Sequence, residues 1–182
     1  MSAALAAVPR RGFLPRGSRR RAQFDGPIPI GSGQTNSQPR TVENMLRLLD
    51  VHPGHRVLDV GAGSGWTTAL LACLTGAEGQ VVGVELEPSL VDFGGRNLAR
   101  LHCPWASIRQ AAVGVLGWPA SAPYDRILVS ADATALPDGL VSQLSPGGRM
   151  VLPVRGRMLL VEAGAAGPVV TEHGAYRFVP LR

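Results

Sequence analysis

Val57-Leu58-Asp59-Val60-Gly61-Ala62-Gly63-Ser64-Gly65 is the stretch whose reading decides the fold. Arg56 to Val60 is a short apolar run of strand type, Gly61 to Gly65 is a Gly-rich turn, and Trp66 to Leu74 reads as helix. Downstream the alternation repeats. Gln80–Glu85 is a second strand, and Pro88–Leu101 a second helix with Leu90, Phe93, Asn97 and Leu98 in step. Ala106–Ala111 suits a third strand and Tyr124–Ser130, bounded by Pro123, a fourth. Asp138–Leu144 reads as a short helix ended by Ser145-Pro146-Gly147-Gly148, followed by a strand over Arg149–Val154. Met158–Ala163 and Arg177–Leu181 are expected to close the sheet as a pair. Strands alternating with helices predict a doubly wound, mostly parallel α/β sheet with helices on both faces and right-handed crossovers.

Upstream of the motif, Pro39 suits the first turn of a helix whose buried face is Val42, Met45, Leu46 and Leu49, ended by His52-Pro53-Gly54. Asp25 to Ser37 is punctuated by Pro27, Pro29, Gly26, Gly31 and Gly33 and reads as a loop with short extended pieces. The expected organisation is one domain over residues 1–182, with 1–38 as a basic, loop-rich cap. The chain is 45% hydrophobic and 17% charged, which are globular values, and no apolar run reaches membrane-spanning length. All 18 basic residues are Arg, a bias that speaks of the genome more than of function.

The net charge of +5 is uneven: Arg10, Arg11, Arg16, Arg19, Arg20 and Arg21 precede the first acidic residue, Asp25. A nucleic-acid patch lacks aromatic interleaving beyond Phe13 and Phe24. Pro9, Gly12 and Pro15 oppose the amphipathic helix of a transit peptide, and Ala3 to Val8 is too short for a secretory core. A solvated, partly flexible basic arm is therefore expected, with neither nucleic acid nor membrane as partner. Cys73, in an apolar helical run, is expected to be buried, and Cys103 to lie in a turn before Pro104. A reducing, cytoplasmic setting fits both. His52 and His55 flank a turn, and His102 and His173 have no partner at metal-ligand spacing.

The Gly-rich turn lies at a strand's carboxyl end and opens a helix, where ligand sites form in such sheets. Glu85 ends the next strand, roughly twenty positions beyond Gly65, where a carboxylate takes hydrogen bonds from ribose hydroxyls. The order G-x-G-x-G followed by bulky Trp66 departs from the dinucleotide fingerprint G-x-G-x-x-G. Asp59 would repel a pyrophosphate but suits a ligand with a cationic amino group and a sulfonium. S-adenosyl-L-methionine has both, so it is the expected cofactor. Its contacts are expected at Asp59, Gly61, Ala62, Gly63, Ser64, Gly65, Glu85 and Leu86.

Ile28-Pro29-Ile30-Gly31-Ser32-Gly33-Gln34-Thr35-Asn36-Ser37-Gln38-Pro39 closely resembles the signature loop of protein-L-isoaspartate O-methyltransferases, Pro-Ile-Gly-x-Gly-Gln-Thr-x-Ser and then a Pro that starts a helix. Val57–Gly65 resembles the adenosylmethionine motif of that family. Ala122–Ile127 is similar to its fourth strand, Leu144–Val154 to its fifth and Phe178–Leu181 to its ending. The resemblance runs from roughly residue 8 to residue 182 in order. It implies a Rossmann-like class I methyltransferase that esterifies the free α-carboxylate of an isoaspartyl residue. Isoaspartyl-containing proteins or peptides are then the partners, and a cytoplasmic monomer is expected. That carboxylate is ionised at neutral pH, with a pKa of about 3.5, so no general base is needed. The match assigns Gln34, Thr35 and Ser37 to the acceptor side. Ser37 precedes a helix whose free N–H groups favour an anion, and it either caps that helix or holds the carboxylate. The resemblance favours the second role.

The match departs at Ala112-Val113-Gly114, where the family carries Gly-Asp-Gly and the Asp contacts adenine. Val113 offers no side-chain acceptor, so adenine recognition by Val113 and Gly114 falls to backbone groups and apolar packing. Asp132 adds a carboxylate after the fourth strand, expected to be a solvated loop residue. These departures leave two alternatives: methylation of aspartate in a dedicated biosynthetic peptide, or a catalytically weak adenosylmethionine-binding protein.

Overall fold

The computed structural model describes residues 1–182. Its elements in chain order are α1 (Ser2–Ala7), two 3₁₀ turns (Arg10–Phe13 and Arg16–Arg21), β1 (Ile28–Gly31), β2 (Gln34–Asn36), α2 (Pro39–Leu49), β3 (Arg56–Val60), α3 (Trp66–Thr75), β4 (Gln80–Glu85), α4 (Pro88–Ala99), β5 (Ala106–Gln110), β6 (Tyr124–Val129), α5 (Asp138–Val141), β7 (Leu144–Val154), β8 (Arg157–Gly164) and β9 (Gly167–Ala175). A third 3₁₀ turn spans Pro119–Ser121. The main sheet has the order β5-β4-β3-β6-β7-β8-β9. It is parallel from β5 to β7 and antiparallel at β8 and β9.

The central strands β3 and β4 are nearly continuous buried runs because both faces of the sheet are covered there. The strands' period of two sends alternate residues to two separate cores. Val57, Val81, Leu128 and Val151 pack with α1, α2 and α3, while Leu58, Val82, Ile127, Met150 and Leu152 pack with Leu140 of α5 and with Val161 on the other side. Val42, Met45, Leu46 and Leu49 form the buried face of α2, as their spacing predicts. The order of strand addition reverses at β3, which lies between β4 and β6, so the switch point of the sheet falls at the carboxyl end of β3, where the Gly-rich turn begins.

Three expected elements differ. The helix after residue 138 ends at Val141, and Leu144 already pairs with Tyr124. Ser145-Pro146-Gly147-Gly148 does not separate helix from strand but is a bulge within β7, across which the pairing resumes at Arg126 with Arg149. Gly148 is needed there, since a Cβ would lie 2.8 Å from the Ser145 carbonyl and 3.0 Å from that of Tyr124. The closing pair is β8 with β9, not Met158–Ala163 with Arg177–Leu181. Every residue of β9 is exposed, so no burial pattern marks it in the sequence. Arg177–Leu181 is instead a tail that returns over the sheet, with an isolated bridge from Pro180 to Asp132.

The basic start is not a solvated arm throughout. Ala4, Val8 and Phe13 join the core on the α3 side, and Arg10 is only 5% exposed. Its guanidinium donates to Asn36 Oδ1 at 2.6 Å and to the carbonyls of Phe24, Gly26, Asn36 and Ser37 at 2.7–3.0 Å. Burial pulls its pKa down to about 10, so it remains a cation at neutral pH. Arg11, Arg16, Arg20 and Arg21 are exposed. Cys73 is exposed rather than buried, because it lies on the outward side of α3, whose Trp66–Ala72 stretch is buried throughout.

Candidate active site

The carboxyl ends of β3, β4 and β6 open into a cavity of about 310 Å³. One wall is the Gly-rich turn, Gly61 to Ser64, which follows β3. Gly61 and Gly63 have φ of +82° and +52°, a left-handed conformation that favours glycine. A Cβ at Gly63 would also stand 3.2 Å from Ile30 Cδ1 of the β1–β2 hairpin. The turn is braced by Glu85 at the end of β4. Its Oε2 accepts the Gly63 N–H at 2.9 Å, and its Oε1 accepts the N–H groups of Leu86 and Glu87 at 2.7 and 3.0 Å. A second, adjoining wall is Gln34 to Ser37, the second strand of the hairpin and the first of the two residues before α2. That helix begins with Pro39 at its first turn and has no side-chain cap, so Ser37 does not cap it.

Of the residues singled out from sequence, Gln34, Thr35, Ser37, Gly61, Ala62, Gly63, Ser64, Glu85, Leu86, Val113 and Gly114 line this one cavity. Asp59 and Gly65 do not. Gly65 faces α4, where a Cβ would lie 2.9 Å from the Gly94 carbonyl. Asp59 is wholly buried beneath the turn, its Oδ2 accepting the hydroxyls of Thr67 and Thr68 at 2.7 Å each while Oδ1 has no partner. Burial pushes its pKa up to about 6, against the two threonine bonds, and Glu85 adds a smaller push in the same direction. Val113, in the turn after β5, is 90% exposed at the rim.

Asp132 is not a solvated loop residue. Its carboxylate accepts the Gly156 N–H at 3.1 and 3.2 Å, and its backbone bonds Val179 and Leu181, so it anchors the tail. Sequence reading missed that tail as a wall: Val179, Pro180, Leu181 and Arg182 all line the cavity, and Arg182 pairs with Glu87 at 2.7 Å. It also missed Asn36, Trp66 and Thr67. Asn36 stands in the loop quoted above, and its one signal was a polar side chain between two residues already assigned to the acceptor.

The family model for protein-L-isoaspartate(D-aspartate) O-methyltransferase matches residues 1–182. The chain belongs to this family. It is 45% identical to the protein-L-isoaspartate O-methyltransferase of Methanopyrus kandleri, over 98% of this chain and 81% of that one. It is 44% identical to the enzyme of that name from Anaeromyxobacter dehalogenans, over 98% and 87%. Among solved structures it superposes on a protein-L-isoaspartate O-methyltransferase with a TM-score of 0.91 at 25% identity, covering all of this chain and 60% of that one. A second structure, a family member from Plasmodium falciparum in complex with S-adenosyl-L-homocysteine, gives 0.87 at 26% identity and is covered over 88% of its length. Like the family, the chain is an S-adenosylmethionine-dependent methyltransferase. The cavity fits that cofactor: a glycine turn leaves backbone open to a ligand, a carboxylate ends β4, and an unpartnered carboxylate oxygen lies under the turn.

Proposed function

We propose that the chain transfers a methyl group from S-adenosylmethionine to the free α-carboxylate of L-isoaspartyl residues in damaged proteins and peptides, the step that starts their repair. The observation that carries this reading is that the Gly61–Ser64 turn and the Gln34–Ser37 loop line one cavity side by side, joined by the hydrogen bond from Asn36 to Ser64 at 2.9 Å. When bound, S-adenosylmethionine supplies a sulfonium methyl as the electrophile. Gly61 to Ser64 would hold its amino-acid end with Asp59 below, Glu85 its ribose, and Leu86, Val113 and Gly114 its adenine. Ser37, at the N-terminal end of α2, binds the acceptor carboxylate with its hydroxyl and adjoining N–H groups, where the helix dipole favours an anion. Gln34 and Thr35 shape the same side. No residue has to remove a proton, because the acceptor is already ionised, and catalysis is alignment with water excluded. Val60, Val84, Ala111 and the Val179–Leu181 tail supply the apolar walls.

The ester formed on an isoaspartyl residue collapses to a succinimide, and its reopening regenerates some normal aspartate. On this reading the partners are isoaspartyl-containing proteins or peptides, and the enzyme works as a cytoplasmic monomer. No helix is long and apolar enough to cross a membrane. The test is methyl transfer from labelled cofactor to two matched peptides, one isoaspartyl and one aspartyl. Label on the isoaspartyl peptide alone is expected. Label on the aspartyl peptide, or on neither, overturns the assigned acceptor.

A further inference from the structure

The two walls of the cavity are tied together by a side chain that no motif assigns. Asn36 is 4% exposed. Its amide N–H donates to Ser64 Oγ at 2.9 Å, and its Oδ1 accepts Arg10 Nε–H at 2.6 Å. Ser64 is anchored in turn, since its carbonyl accepts the Asn97 amide of α4 at 3.0 Å. Arg10 completes the line, because the same guanidinium holds the carbonyls of Asn36 and Ser37 at 3.0 and 2.9 Å. A continuous buried path therefore runs from α4 through the cofactor turn to the backbone of Ser37.

We propose that Asn36 is a positioning residue that couples the two walls, so that occupancy of the cofactor turn orders the acceptor loop. This rests on the methyltransferase reading above for the names of the two walls. The acceptor loop needs such an anchor. It is a hairpin of four and three residues, a kind of unit that is marginal without outside support. Ser32, Gly33 and Thr35 are exposed. An amide is the side chain that serves, because one partner must be given a proton and the other an acceptor. A ligand that restrains Ser64 restrains Asn36, and through Arg10 the carbonyl before Ser37. By linkage, a filled acceptor site must favour the cofactor turn by the same factor.

The test is hydrogen exchange of residues 34–38 with and without saturating S-adenosylhomocysteine, in the full chain and in Asn36→Leu. Leucine matches the shape of asparagine and has neither donor nor acceptor. In the natural chain the product is expected to slow exchange there by about tenfold, the middle of the usual range for coupled sites. In Asn36→Leu, shown by calorimetry to be saturated, the slowing is expected to vanish. Asn36→Asp keeps an acceptor for Arg10 and for the Ser64 hydroxyl, and is expected to restore most of it. With isoaspartyl peptide, Asn36→Leu is expected to raise KM more than it lowers kcat. Equal slowing in the natural chain and Asn36→Leu, or none in the natural chain, overturns the coupling. Failure of the acceptor assignment would show separately, as absence of methyl transfer in the natural chain with the exchange effect intact.

Discussion

Asp59 holds one carboxylate oxygen on two threonine hydroxyls and the other on nothing, entirely out of water. With a folded pKa of about 6 against 3.8 unfolded, it adds stability below pH 3.8 that is lost as pH rises through 6. At neutral pH the empty enzyme therefore carries a buried charge at a cost, which a cation above the turn relieves. Binding of S-adenosylhomocysteine at pH 6 is expected to release up to about half a proton, and Asp59→Asn to release none. Calorimetry in buffers of different ionisation enthalpy reads this, and equal release in both proteins would clear Asp59 of the role. Ser37→Ala is expected to lower turnover by about 10–100-fold, the worth of one hydrogen bond to a charged group, with product affinity nearly unchanged. A fully active variant would remove Ser37 from the acceptor site. At this scale the sequence was informative about which residues gather. It did not show which side of a buried turn each faces, and so Asp59 and Gly65 were expected among the lining residues and lie beneath them.

Helix α4 carries two adjacent glycines with opposite duties. A Cβ on Gly94 would stand 2.7 Å from the Gly63 carbonyl and 2.8 Å from Ile108 Cδ1, whereas one on Gly95 meets nothing within 4 Å. Gly94→Ala is expected to cost about 1–3 kcal/mol by overpacking and to weaken product binding, because what must shift is the cofactor turn itself. Gly95→Ala is expected to stabilise by about 0.5–1 kcal/mol, since alanine replaces the poorest helix former short of proline. Thermal melts of the two variants should move in opposite directions. Buried elements were legible here because their apolar residues repeat at the period of helix or strand; β3 and β4 begin and end where that pattern does. Elements held by other means were not. β9 is exposed along its whole length, and the β7 bulge rests on Gly148 and on the Ser145 hydroxyl bonded to the Tyr124 carbonyl at 3.0 Å.

Over the whole molecule, residues 1–38 are held to the sheet by the Trp66 indole N–H on the Val8 carbonyl at 3.0 Å, by Asn36 on Ser64 at 2.9 Å and by Ala4, Val8 and Phe13 in the core, while the Arg10 guanidinium, whose acceptors all lie between Phe24 and Ser37, ties the segment to itself. With those contacts in place, residues 1–182 are expected to melt as one unit, in a single calorimetric transition. Arg10→Met is expected to cost about 3 kcal/mol or more, since it strips five acceptors of a charged donor. It should also expose the 1–38 segment to limited proteolysis below the main transition, and a variant as resistant as the natural chain would refute the part given to Arg10 in ordering that segment. The layered class of the fold followed from alternation alone. The strand order did not, because crossover handedness leaves open which side of β3 each later strand joins. Nor did the burial of Arg10, which from composition is one arginine among six. Trp66 stands where all these parts meet, 3% exposed, its indole N–H on the Val8 carbonyl at 3.0 Å, Arg10 5.7 Å from its ring, and the cavity along its edge. An indole so placed is an optical gauge. Its emission answers to charge and water arriving within a few ångströms, so filling of the cleft becomes visible as light from an unlabelled protein, a signal that Trp66→Phe should extinguish and Trp105→Phe should leave.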